Sequence, residues 1–436
     1  MATIKLTLST DDALKEDMNG HTESSEKVSQ DDPNLVFDGS LTPLERMKFT
    51  PSRKHLSGER TASYGKKRGK SRRSVLTKVA LAAKLAKNRK KKHVDESHPH
   101  FITSRVIRTG IRNVLEKHSL NTSNNYEVNQ SSIEECWVDT FTLKNDQTFS
   151  FKTYAPTVFA KLRRMMFGIE DESYAKSLGS DKQYLDFQSN SKSGQFFFFS
   201  DDEFYILKTL APRECRWMKA MLKEYVDHFE SYPKSLLCKI CGMYRVKQSD
   251  GNKTHLIVMR STFDTILPMS KKFDLKGSTV GRAASDHDLK KLSPVLKDLD
   301  LEASGIKLYF GSSQGKAILE QLNKDTQLLA RLNKMDYSLM LGIYSKDEAE
   351  EVFDNDTLRA IFKADNCLSR YDCDIAIGEM KYVYFLGLID FLQGYNSKKR
   401  MEKMFKSFRY KAGEISVLEP NAYARRMNEF ISRFIA

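Results

Sequence analysis

No apolar run in these 436 residues approaches the roughly 20 needed to span a bilayer, so any membrane contact must be peripheral. The opening stretch, Met1-Ala-Thr-Ile-Lys-Leu-Thr-Leu-Ser-Thr-Asp-Asp, has no sustained apolar core and does not read as a secretory signal. Cysteine is scarce and irregular: Cys136, Cys215, Cys238, Cys241, Cys367 and Cys373 form no disulfide framework, which points to a reducing compartment. Cys238-Lys-Ile-Cys241 is the only close pair. No second Cys/His pair complements it, so zinc is not expected there; two small apolar residues in a core strand are. There is no internal repeat and no base-reading module, which weighs against a nucleic-acid binder.

What the chain has in surplus is positive charge. Lys and Arg number 71 against 57 Asp and Glu, a net charge of +14, which favours polyanionic partners without choosing among nucleic acid, acidic lipid and nucleotide. Residues 1–50 are rich in Ser, Thr, Asp, Asn and Glu and cannot bury enough apolar surface to offset chain entropy. We therefore expect a disordered tail over 1–95, with a basic segment over 53–92 that includes Lys66-Lys67-Arg68 and Arg89-Lys90-Lys91-Lys92. That segment reads as an acidic-lipid contact, a nuclear import signal, a nucleic-acid contact or a solvated linker. Globular sequence begins near His100, with a helix over 102–117 and a strand followed by a helix that opens at Pro156.

Phosphoryl transfer from ATP requires a loop over the phosphates, a Lys upon them, carboxylates for the metal and a group to orient the attacking oxygen. Four stretches offer such parts. In the first, a small-residue turn around Ser193 and Gly194 joins two strand-like runs, and the second run, Phe196 to Lys208, ends on a Lys among apolar neighbours. A Lys there needs a counter-charge or an anion, and Glu214, opening the next helical stretch, could supply one. The second stretch, Phe273-Asp274-Leu-Lys276-Gly277-Ser278-Thr279, offers a turn with backbone donors for phosphate. In the third, Asp336 enters an apolar strand; in the fourth, Asp390 ends one. Buried carboxylates are costly without a cation or donors, although a turn or cap would also account for either one alone. Several breaks of the apolar pattern, in this order after a strand Lys, mark a functional site.

These stretches together resemble the phosphatidylinositol phosphate kinases. Asp274-Leu-Lys-Gly-Ser-Thr, Met335-Asp-Tyr-Ser-Leu and Gly387-Leu-Ile-Asp390 resemble that family's signature blocks, and Phe151-Lys-Thr-Tyr-Ala-Pro and Ala422-Tyr-Ala-Arg-Arg its flanks. The resemblance runs from about Glu135 to the C-terminus. It implies an α+β, two-lobed kinase-like fold with antiparallel sheets and flanking helices: an N-lobe over 96–270 and a C-lobe over 271–436, with an activation loop over 391–420. It also implies ATP and Mg²⁺ as cofactors. Ser193 and Gly194 would form the nucleotide loop, and Lys208, paired with Glu214, would hold the ATP phosphates. Asp336 would orient the inositol hydroxyl, Lys276 would meet phosphate from ATP or the lipid, Asp274 would complete the catalytic set, and Asp390 would bind the metal.

The implied activation loop carries Lys398, Lys399, Arg400 and Lys403 with Met401, Met404 and Phe405, a cationic and apolar mixture suited to a membrane surface. Glu402 stands where members that use the 4-phosphate lipid carry Glu and members that use the 5-phosphate lipid carry Ala. The resemblance thus implies a phosphatidylinositol 4-phosphate 5-kinase, peripheral at the cytoplasmic face of an anionic membrane, with the plasma membrane foremost. A homodimer is compatible with it, and the basic segment leaves nuclear import open. Three positions depart from the pattern. Ser191 stands where a second glycine is common, and Cys238 replaces a common Pro. Thr279-Val280-Gly281-Arg282 is closer to the 5-phosphate-using members, and the alternatives are a phosphatidylinositol 5-phosphate 4-kinase or a lipid-binding scaffold without turnover.

Overall fold

Phe149 and Phe151 point into the core from β2 (Thr148–Tyr154), and Ser150 and Lys152 stay only partly covered between them. This alternation pairs the strand with β1 (Cys136–Thr142) in an antiparallel hairpin. The computed structural model describes residues 92–118, 127–143, 147–187, 195–265, 267–291, 293–310, 312–346, 358, 370–372, 382–394 and 418–436. The expectations for the 1–95 tail, save its last residues, and for most of the 391–420 loop therefore lie outside the described residues.

The hairpin belongs to a seven-stranded sheet in the order β1-β2-β6-β7-β5-β4-β3. Its other members are β3 (Leu185–Phe187), β4 (Phe197–Phe199), β5 (Tyr205–Leu210), β6 (Ile240–Gln248) and β7 (Lys253–Arg260), and every neighbouring pair is antiparallel. Helix α1 (Phe101–Lys117) and the short α2 (Gln130–Glu134) precede it in the chain, the former over the expected residues. Gly110 of α1 sits so close to Phe151 that an added Cβ would lie 2.3 Å from the ring. Helix α3 (Pro156–Lys161) opens on Pro156, as expected, and runs into a wider turn over Leu162–Met166. Helices α4 (Asp171–Gly179), α5 (Pro212–Ala220) and α6 (Leu222–Ser231) complete this part.

One expectation is corrected here. The run from Phe196 to Lys208 is two strands, β4 and β5, with a turn over 200–204 between them. The turn is fixed locally: Ser200 Oγ donates to Asp202 Oδ1 at 2.6 Å, which also accepts from Phe204 N at 3.1 Å. Three successive acids favour exposure over a strand interior, and Glu203 adopts a left-handed φ of 61° at the tip. Lys208 consequently lies inside β5, opposite Phe197 and Ile257, and not at the end of a long strand.

A second sheet has four strands in the order β10-β11-β9-β8. Its members are β8 (Lys271–Leu275), β9 (Ser338–Ser345), β10 (Arg370–Asp372) and β11 (Tyr382–Ile389), again all antiparallel. The apolar run of β11 is buried on both faces from Val383 to Leu388, as a central strand requires. Between β8 and β9 come α7 (Asp286–Leu289), α8 (Asp298–Ser304) and the long α9 (Ser312–Arg331), which packs against α10 (Pro420–Ser432). The segment joining the two sheets presses on the face of the second. A Cβ at Gly342 would meet Phe263 at 2.5 Å, and one at Gly387 would meet Thr262 at 2.6 Å. The glycine of the Gly387-Leu-Ile-Asp390 block is thus explained by close approach. The sheets share one apolar core, and Leu237 pairs directly with Leu388 across the boundary.

Candidate active site

The antiparallel register decides which residues can meet. Ile389 of β11 lies opposite Ser338 of β9, and Leu275 of β8 lies opposite Leu339. The exit of β11, the entry of β9 and the exit of β8 therefore share one end of the four-stranded sheet. Asp390, Asp336 and Lys276, each one or two residues beyond those strands, are brought together from positions more than 50 apart in sequence. Three of the five non-glycine residues with left-handed φ among the described residues lie here: Asn333 at 55°, Asp336 at 65° and Asp390 at 60°. Such conformations each cost roughly 1–3 kcal/mol and persist where surrounding structure enforces them, typically at functional sites.

Lys208 reaches this end from the other sheet. It is 7% exposed, and its Nζ donates to Asp390 Oδ1 at 2.5 Å. Glu214 is not its partner, contrary to expectation. The Glu214 carboxylate accepts from Ala211 N at 2.8 Å and from Gln195 Nε2 at 2.5 Å, so it closes the first turn of α5. A Glu at the third helical position is well placed to reach back to the start of its own helix, and here it does so. Asp390 retains capacity: its side chain is 45% exposed, and among the described residues Oδ2 has no hydrogen-bond donor. The cleft beside the pair is walled by Ile240, Ile257, Met259 and Phe391, with Lys208 and Asp390 at its polar side. The slot encloses only about 20 Å³ as it stands, but its groups are those a nucleotide would use once it opened: an aliphatic wall for a base, a Lys for phosphates and a carboxylate for a divalent cation.

Lys276 and Asp336 form the second pair. Lys276 Nζ donates to Asp336 Oδ1 at 2.9 Å and to its main-chain oxygen at 2.5 Å. Asp274 stands slightly apart, its carboxylate accepting from Arg282 at 2.8 Å. Arg282 also donates to Asp298 Oδ2 at 2.6 Å, and the fully buried Asp298 takes the amides of Lys276 at 2.9 Å and Gly277 at 2.6 Å. Helix α10 adds two contacts: Arg426 donates to Lys276 O at 3.1 Å and Tyr423 to Tyr337 O at 2.5 Å.

Sequence reasoning missed Asp298 altogether, because one acid among Asp298, Asp300 and Glu302 carries no local mark. Tyr423 and Arg426 stand in the sequence only as parts of a flank that resembles the family's, and Arg282 only in the departing run Thr279–Arg282. Ser193, Gly194, Lys398, Lys399, Arg400, Glu402 and Lys403 lie outside the described residues. Cys238 and Cys241 are buried, as core residues are, and burial pushes both thiols up to about 12. No helix among the described residues is long and apolar enough to cross a membrane. A larger cavity of about 420 Å³, lined by Phe167, Phe204, Tyr205 and Arg260 among others, includes none of the expected site residues.

Two antiparallel sheets with flanking helices, meeting at a cleft with a strand Lys and a strand-end Asp, define a kinase-like α+β fold. A family model described as phosphatidylinositol-4-phosphate 5-kinase matches residues 178–434. Phosphatidylinositol 5-phosphate 4-kinase type-2 alpha of Rattus norvegicus is 35% identical over 321 residues, covering 66% of this chain and 78% of the relative. The human type-2 beta protein is 33% identical over 326 residues, with the same two coverages of 66% and 78%. A probable phosphatidylinositol phosphate kinase of Dictyostelium discoideum is 30% identical over 344 residues, 66% of this chain and 48% of that protein. The chain belongs to the phosphatidylinositol phosphate kinase family, and with it to the lipid kinases.

Proposed function

We propose that the protein transfers the γ-phosphate of ATP to the inositol 5-hydroxyl of phosphatidylinositol 4-phosphate, producing phosphatidylinositol 4,5-bisphosphate at an anionic membrane surface. The observation that supports the reading is that Asp390, paired with Lys208, and the Lys276–Asp336 pair lie at the same end of the four-stranded sheet. In this reading Lys208 would exchange its carboxylate for the ATP phosphates, and Asp390 would hold Mg²⁺. Mg²⁺ bound with ATP would supply neutralisation of phosphate charge. Asp336, held by Lys276, orients the attacking inositol hydroxyl and accepts its proton. Lys276 is also placed to meet phosphate. Lys398, Lys399, Arg400 and Lys403 would contact anionic lipid, at about 1 kcal/mol per cation near the surface.

Glu402 supports the 4-phosphate lipid as substrate. A second reading, the 5-phosphate lipid phosphorylated on its 4-hydroxyl, is favoured by the type-2 relatives, which are named phosphatidylinositol 5-phosphate 4-kinases. The test is a radiolabelled ATP assay on liposomes that each carry one monophosphorylated phosphoinositide. Product from the 4-phosphate lipid, lost in Asp336→Asn, is the expected result. Product from the 5-phosphate lipid alone establishes the second reading, and no product from any lipid overturns both. Glu402→Ala should shift the product ratio toward use of the 5-phosphate lipid by about tenfold, the effect of one 1.4 kcal/mol contact. An unmoved isomer ratio removes Glu402 from substrate choice.

A further inference from the structure

Asp325 lies in the middle of α9, fully buried, and touches neither Lys–Asp pair. Its carboxylate nevertheless accepts four hydrogen bonds. Oδ1 takes His228 Nε2 at 2.6 Å, Gln321 Nε2 at 2.7 Å and Ser235 Oγ at 2.9 Å. Oδ2 takes the backbone amide of Leu236 at 2.7 Å. The donors come from α6, from α9 itself and from the segment that leads into β6. Only an ionised carboxylate offers enough lone pairs for four donors, and burial of a charge is tolerated when donors surround it in this way.

Each end of this knot leads to the candidate site. Leu236 and Cys238 are bonded to β11: Leu388 N donates to Leu236 O at 2.7 Å, and Cys238 N donates to Leu388 O at 2.8 Å. Leu388 lies two residues before Asp390. On the other side, α9 ends in a tightly bonded turn, with Asn333 N on Ala330 O at 2.9 Å and Lys334 N on Leu329 O at 2.8 Å. Asp336 lies two residues further on. Beyond the turn, Met335 N donates to Gln393 O at 3.3 Å. Two routes of main-chain hydrogen bonds therefore run from one carboxylate, one to each candidate Asp.

We infer that Asp325 is a positioning residue for phosphoryl transfer: it clamps the 235–238 segment to α9 and so sets the spacing between Asp336 and Asp390. The inference rests on the lipid-kinase reading of those two carboxylates. Relaxing the clamp changes how the two carboxylates face each other more than it changes the cleft, of whose lining only Cys238 lies in the clamped segment. The effect should appear in turnover more than in nucleotide affinity, because a displacement of about 1 Å costs up to about a hundredfold in rate.

Asp325→Asn is the discriminating variant. Its NH₂ group cannot face the Leu236 amide, a fixed donor. It can face the Oδ1 side, where the Ser235 hydroxyl can rotate, the Gln321 amide can flip and His228 can change tautomer. One orientation is therefore tolerated, with a looser clamp. We expect a folded protein with kcat lowered about ten- to a hundredfold and KM for ATP within about threefold of wild type. Ser235→Ala removes a single donor and serves should Asp325→Asn not fold; it should show the same split with a smaller loss.

Thr326→Val is the control for stability. It removes the buried hydroxyl that accepts from Asn428 Nδ2 at 2.8 Å, between α9 and α10, and leaves the clamp intact. It should lower the Tm and keep kcat. Hydrogen exchange at the Leu236, Cys238 and Leu388 amides should accelerate in Asp325→Asn and not in Thr326→Val. Unchanged kcat in folded Asp325→Asn, or a loss that merely follows the folded fraction in all variants, overturns the inference. Should the wild type phosphorylate no lipid, the lipid-kinase reading falls separately; exchange unchanged by Asp325→Asn would then overturn the clamp on its own.

Discussion

Lys208–Asp390 and Lys276–Asp336 are both close contacts, at 2.5 and 2.9 Å, yet they are held differently. The first spans the two sheets. Its Lys is nearly buried, with the side chain 9% exposed, and its Asp is open at 45%. The second lies within one end of the four-stranded sheet. Both partners are well covered, at 16% and 19%, and Arg282, Asp298 and Arg426 brace the Lys276 backbone or the turn around it. A pair between two sheets with one exposed partner can open to admit phosphate and a cation. A pair anchored on a buried network is part of the frame. Equal distances therefore do not imply equal roles; what surrounds each pair decides how much it can give up.

The sharpest way to break this comparison is to neutralise each carboxylate in turn. Asp336→Asn should lower kcat by about 10²–10⁴-fold, the usual worth of a positioned acid–base group, and leave ATP binding intact. Asp390→Asn should lower turnover by about 10²–10³-fold, the scale of one lost electrostatic partner, and also abolish the effect of Mg²⁺ on ATP affinity. Liposome binding should persist in both. Titration of ATP with and without Mg²⁺, beside the liposome assay, separates them. If Asp336→Asn loses the Mg²⁺ effect and Asp390→Asn keeps it, the two assignments are exchanged.

Stability tests the frame. Arg282→Ala would leave the fully buried Asp298 with two backbone amides and only the more distant Arg426 as a cation. Removing one partner of a buried ion pair costs about 3–5 kcal/mol, and the two surviving donors place the expectation near 3. Urea unfolding of the two proteins measures it. A loss under about 1 kcal/mol would mean the frame does not depend on this charge, and the contrast between the pairs would weaken.

How much of this was legible in the sequence follows from the range of each interaction. Asp336 and Asp390 announced themselves because a charge at the edge of an apolar strand is a local anomaly. Pro156 marked its helix start for an equally local reason. The pairing of Lys208 could not be read, because a nearby acid such as Glu214 has an equally local alternative, its own helix N-terminus. The turn over 200–204 hid inside a run dominated by Phe196–Phe199 and Tyr205–Leu207. Arg282–Asp298 and the Asp325 clamp depend on contacts 16 and up to 97 residues apart, and a single Asp on an amphipathic helix gives no sign of what will cover it.

Lys334 gives the finest test of the contrast, because it is a buried lysine with no carboxylate partner among the described residues. It is 4% exposed, its Nζ lies 5.1 Å from the Trp217 ring, and no acid pairs with it among the described residues. Burial holds its ammonium down at about 8, against about 10.4 in an unfolded chain. Below pH 8 both states carry the proton, and the folded state bears the full cost of burying the charge. From about pH 8 to about 10 the unfolded chain still binds a proton that the folded protein has released, so stability rises with pH. Lys334→Met removes both the cost and the dependence. It should be more stable than wild type by about 1–3 kcal/mol at pH 7, the usual penalty of an unsatisfied buried group, and the gap should close as pH rises toward 10. Chemical denaturation of the two proteins side by side at each pH cancels every other titration. A gap that does not change with pH would mean the ammonium finds an anion in the folded protein, and Lys334 would then join the two paired lysines instead of contrasting with them.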